Sequence, residues 1–94
     1  MSETALAPRT LTIVNRLGLH ARAAAKLVTT AERFDAETTV ERGGNVVSAL
    51  SIMGLMMLGA GEGETVTLHA HGPQAAEALD AVEALIADGF GERD

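Results

Sequence analysis

The chain has 94 residues, a formal net charge of −6, no cysteine and only two aromatic side chains. At this length one small domain spanning 1–94 is expected, burying about 60–65% of its unfolded surface. The missing cysteine excludes disulfides and thiolate metal sites, and the acidic charge with so few stacking side chains argues against nucleic-acid binding.

Residues 1–8 lack the basic start and apolar centre of a secretory signal and read as a frayed tail. Arg9 to Asn15 alternates, with Leu11 and Ile13 on one face and Thr10, Thr12 and Val14 on the other, which predicts a strand. Arg16 to Leu19 is a loop in which Gly18 permits backbone angles closed to other residues. From Ala21 the period changes. Ala24, Leu27, Val28 and Ala31 fall at helical spacing, with Arg22, Lys26 and Arg33 off that stripe, so a helix to about Arg33 is predicted.

Ala36 to Arg42 and Asn45 to Ser48 flank Gly43-Gly44, a hairpin signal. Ser51 then heads the apolar run Ile52 to Leu58, which closes at Gly59. Serine is a favoured N-cap and glycine a common stop, so this run reads as a helix of about two turns. Such a helix cannot bury every large side chain against one sheet. Ile52, Met53 and Met56 are therefore candidates for partner contact, methionine being adaptable to several surfaces.

Thr65 to His71 alternates cleanly as a strand, with Val66, Leu68 and Ala70 on one face. Gly72-Pro73 breaks it, and Pro73 suits a first helical turn. Ala75, Leu79, Val82 and Ile86 make the stripe of a last helix that Gly89 ends, followed by a polar tail. The order is β-α-β-β-α-β-α, an α+β chain with helices on one face of a mostly antiparallel sheet. The longest mostly apolar run, Ala49 to Ala60, falls far short of the ~20 residues that span a bilayer. A soluble cytoplasmic protein, without membrane or nucleic-acid partners, is the expectation.

Charge is unevenly spread. Between Thr4 and Ala31 stand Arg9, Arg16, Arg22 and Lys26 and no acid, whereas the acids cluster in Glu32 to Glu41 and beyond Glu62. This basic island surrounds Gly18-Leu19-His20-Ala21-Arg22, where a loop becomes a helix. A helix N-terminus offers unpaired N–H groups and partial positive charge to an anion. A histidine there is a nucleophile aimed at an anion site, and Arg22 can grip phosphate oxygens. Only neutral imidazole has a lone pair for phosphorus, and phosphoryl transfer needs mainly in-line positioning and charge stabilisation. His20 is thus a candidate phosphoryl acceptor, with Arg22 and the backbone N–H groups of Ala21 and Ala23 as phosphate contacts. A histidine-dependent hydrolase is disfavoured, because no serine–acid partnership is evident. His69 and His71 share a strand face but lack a cysteine or clear third ligand, so they are read as solvent-facing and no metal or cofactor is expected.

The run Asn15 to Ala24, N-R-L-G-L-H-A-R-A-A, resembles the active-site signature of HPr, the histidine-containing phosphocarrier family of the bacterial phosphoenolpyruvate-dependent phosphotransferase system. Ser51-Ile-Met-Gly-Leu-Met resembles that family's regulatory serine segment. The resemblance implies an open-faced β-sandwich with four antiparallel strands in order 1-4-2-3 and three helices on one face. It implies phosphorylation of His20 on Nδ1, phosphate contact by Arg22, enzyme I as donor and enzyme IIA domains as acceptors of a monomeric carrier that is not a stand-alone enzyme. Ser51 would answer to an HPr kinase/phosphorylase, and Ile52, Met53 and Met56 to the docking patch. A regulatory binding module of a nitrogen-related branch would use the same His20 and Arg22. One departure stands out: Ala23 replaces a proline common in the family, which implies a looser phosphate loop.

Overall fold

A computed structural model describes residues 6–92. The elements run β1 (Arg9–Thr12), α1 (Ala21–Ala31), β2 (Glu37–Arg42), β3 (Asn45–Ser48), α2 (Ile52–Met57), β4 (Thr65–His71) and α3 (Ala75–Ala87), then a 3₁₀ turn at Gly89–Gly91. The strands form one antiparallel sheet in the order β1-β4-β2-β3. This is the α+β architecture, element order and strand order expected from the sequence and its resemblance.

Two periodicities build the core. Val66, Leu68 and Ala70 of β4 are buried beside Val40 of β2, while Ala24, Leu27 and Ala31 of α1 and Ala75, Leu79, Val82 and Ile86 of α3 are buried against them. The opposite sheet face carries threonines together with His69 and His71. On that face the two histidine side chains are solvent-accessible, at 40% and 47% exposure, and bond across the strands to Glu41 at 2.8 Å and Glu37 at 2.7 Å. Among the described residues no group of three or more ligand-type side chains could hold a metal. Gly43 and Gly44 make the hairpin turn, both at positive φ (58° and 86°), as a two-residue turn of type I′ requires.

Several boundaries differ by one to three residues. β1 stops at Thr12 because the backbone of Ile13 turns to pair with the 58–64 loop: Ile13 N donates to Glu64 O and Gly63 N to Ile13 O, both at 2.8 Å. α1 ends at Ala31, with Glu32 as C-cap in place of Arg33. Pro73 lies in the turn before α3, whose N-cap is Gln74. Residues 1–5 of the expected tail lie outside the described residues, but Leu6 is half-buried against the core.

The C-terminus is the main correction. Gly89 does not release a polar tail. Phe90 is buried at 1% exposure with a left-handed backbone (φ 58°). That conformation costs a non-glycine residue about 1–2 kcal/mol, whereas burying a phenylalanine gains about 2–3 kcal/mol, so burial prevails. Lys26 on α1 adds a hydrogen bond from Nζ to Phe90 O at 2.7 Å. Residues 89–91 are thereby held against α1.

Candidate functional site

His20 is the N-cap of α1. Its backbone is extended (φ −75°, ψ 177°), its N–H donates to Gly18 O at 2.9 Å and its carbonyl accepts the first helical bond from Ala24 N at 2.8 Å. The N–H groups of Ala21, Arg22 and Ala23 precede that bond, so the helix itself gives them no acceptor. Serine or aspartate at this position would fold back on those donors; the His20 side chain makes no capping bond. The ring therefore leaves the positive end of α1 open.

The preceding loop is held by its neighbours. Leu19 N donates to Ala60 O at 3.0 Å, and Gly18, at φ 64°, lies directly against Ala60 and Gly61. That 58–64 loop is clamped in turn. Arg42 donates to Leu58 O at 3.0 Å and to the Glu64 carboxylate at 2.8 Å, while Gly61 N donates to the same carboxylate at 2.7 Å. The Gly61 hydrogen bond, then the Arg42 charge, holds the Glu64 carboxyl below its usual range.

This clamp makes a testable prediction. A carboxyl with a depressed folded-state pKa stabilises the fold above its unfolded value, near 4.3, and loses that contribution as pH falls through the folded value. Glu64→Gln should therefore be less stable than wild type at pH 7. The difference should shrink between about pH 5 and pH 3, as followed by thermal melts of both proteins.

The structure brings Ala21, Arg22 and Ala23 together beside His20, as expected. The Arg22 side chain is exposed and, among the described residues, makes no hydrogen bond or ion pair. Ala23 is fully buried, and unlike a proline it keeps its N–H in the first turn. The basic island, however, is not free of acid. Glu92 from the C-terminal segment hydrogen-bonds through Oε2 to Nε2 of His20, and its Oε1 accepts from Asn15 Nδ2 at 3.1 Å. Asn15 Nδ2 also donates to Gly18 O at 2.9 Å, tying the loop and Glu92 to one buried amide. The bond from His20, followed by that from Asn15, lowers the Glu92 pKa against the opposing effect of burial.

Glu92 and its pairing with Asn15 escaped the sequence reading because 77 positions separate the two residues. One signal pointed there: Phe90 is one of two aromatics in the chain and lies in an otherwise polar end.

Ser51 caps α2, its Oγ accepting from Gly54 N at 2.9 Å. α2 packs against α1. Ile52, Met53 and Met56 are exposed as expected, at 42%, 70% and 44%, while Leu55 and Leu58 are buried. Leu17, Leu50 and Met57 are also exposed. His69 and His71 stay on the far sheet face, apart from His20.

Comparisons with known proteins converge. The family model described as "PTS HPr component phosphorylation site" matches residues 7–88. The chain is 56% identical over 84 residues to the phosphocarrier protein HPr of Cupriavidus necator, covering 89% of this chain and 94% of that protein. It is 51% identical over 84 residues to the phosphocarrier protein NPr of Shewanella violacea, covering 89% and 92%. The crystal structure of HPr-C-His from Thermoanaerobacter tengcongensis superposes with a TM-score of 0.89 at 43% identity, covering 95% of this chain and all of that one.

Proposed function

The chain belongs to the HPr family of phosphotransferase-system phosphocarriers, and from that premise we propose that His20 is its phosphoryl acceptor. In this reading Nδ1 receives the group from phosphorylated enzyme I and passes it to an enzyme IIA domain in the cytoplasm, in sugar uptake or linked regulation. The protein is then a carrier restored in each cycle, acting as a monomer with no cofactor.

The observation that carries the reading is the uncapped start of α1. His20 ends the loop without bonding the first-turn N–H groups, and exposed Arg22 makes no ion pair among the described residues. Both suit an arriving dianion: backbone donors, helix polarity and a guanidinium fork each strengthen as negative charge is added. The test is transfer. Protein charged by phosphoenolpyruvate and enzyme I should hand its phosphate to an enzyme IIA domain, and failure to charge would refute the reading.

The exposed residues Ile52, Met53 and Met56 would dock these partners. Ser51, as the helix cap next to them, is the regulatory position for an HPr kinase/phosphorylase. An acidic group there favours the helix start but sets charge beside an apolar surface. Ser51→Asp should keep the fold and weaken docking to enzyme I about tenfold, a loss of roughly 1.4 kcal/mol, checked by calorimetric titration. Unchanged affinity would remove Ser51 from the interface.

The similarity to NPr of Shewanella violacea favours a second reading. The phosphorylation state of His20 would then control partner binding in a nitrogen-related branch. Binding measurements with charged and uncharged protein separate this from simple relay.

A further inference from the structure

We propose that Glu92 is a positioning residue for His20: it holds the ring proton on Nε2, so that Nδ1 presents the lone pair and carries the phosphoryl group. This rests on His20 being the acceptor.

Glu92 is built into the site. One carboxylate oxygen meets His20 Nε2 and the other accepts from buried Asn15. Its backbone is held one turn back by the bond from Glu92 N to Gly89 O at 3.1 Å, by buried Phe90 and by the Lys26 hydrogen bond to Phe90 O. The paired side chains are mostly covered, at 24% exposure for His20 and 13% for Glu92. An ionised carboxylate only accepts, so in the neutral ring the nitrogen facing it must be the one bearing hydrogen. A carboxylate that orients a working imidazole through its second nitrogen is a general device, found in hydrolytic triads and metal sites.

The chemistry follows from that proton. The Nδ1 lone pair forms a bond to phosphorus while the bond from phosphorus to the donor atom breaks, its electron pair leaving with the donor. The Nε2 proton stays in place, so the ring becomes cationic beside the Glu92 carboxylate, which stabilises it. In onward transfer the Nδ1–phosphorus bond breaks and its electrons return to Nδ1. Neutral imidazole then departs, a far better leaving group than an imidazolide anion. Glu92 sits across the ring from Nδ1, so the imidazole separates its charge from the phosphoryl dianion.

The test is nitrogen-15 NMR of histidine-labelled full-length protein, wild type and Glu92→Ala, above the pH at which the ring is protonated. Wild type should hold the proton on Nε2. Glu92→Ala should shift the tautomer ratio toward Nδ1–H about tenfold, the worth of a hydrogen bond to a charged group, with the amide spectrum reporting that the fold is intact. Phosphoryl uptake from enzyme I should slow by roughly tenfold, as when other functional imidazoles lose such partners. A wild-type ring protonated on Nδ1, or equal tautomer ratios in the two proteins, overturns the proposal. The ring spectra need no donor, so this failure is distinct from failure of His20 to accept phosphate.

Discussion

His20→Ala is expected to take up no phosphate from phosphoenolpyruvate and enzyme I, whereas His69→Ala and His71→Ala should charge as fully as wild type. The contrast follows from placement. His20 stands at the open start of α1, whereas His69 and His71 lie on β4, paired to Glu41 and Glu37 on the face away from the helices. Loss at His20 should be chemical, with little effect on stability. The side chain supplies no capping bond, and its partner Glu92 is separately held by Asn15. A thermal midpoint within a few degrees of wild type, about 1 kcal/mol or less for a domain of this size, would separate the lost nucleophile from a lost fold. Charging that survives in His20→Ala would move the acceptor elsewhere.

Gly18→Ala is expected to damage the structure more than any other single-methyl change near the site. A β-carbon there would stand 2.3 Å from Ala60 O and 2.8 Å from Gly61 Cα, and both are backbone atoms with no side chain to swing aside. The left-handed backbone at Gly18 costs an alanine about 1–2 kcal/mol. The overlap adds about 1–3 kcal/mol. Together they remove about 2–5 kcal/mol from a stability of order 5–10 kcal/mol, lowering the thermal midpoint by at least about 8 °C. Gly43→Ala is the control, since its backbone is also left-handed (φ 58°) but nothing lies within 4 Å of the added carbon. It should show the conformational cost alone. Equal losses at the two positions would mean that the 58–64 loop yields easily and does not fix the histidine loop.

What could be read from the sequence was local or periodic. The stripes of α1, α3 and β4, the Gly43-Gly44 turn, the Ser51 cap and the His20 helix start depend on residues within a few positions of one another. The structure places all of them as expected. The strand order came with the family resemblance, because alternation fixes which face a residue takes but not which strand lies beside it.

The site's support was illegible for the same reason. Glu92 reaches His20 across 72 positions, and the Arg42–Glu64 pair spans 22. An acid-free island along the chain proved no guide to charge in space, because the fold brings a carboxylate into it. Phe90 made this possible. Its burial outweighs the left-handed backbone it imposes and turns an expected polar tail into a wall of the site.

The central claim is that this carrier holds one phosphoryl group on the imidazole of His20. Its most direct test is the intact mass of wild-type protein after incubation with phosphoenolpyruvate and enzyme I, before and after mild acid. The account predicts a single added phosphoryl group that acid removes, as expected of a phosphorus–nitrogen bond. An added group that survives acid would contradict it.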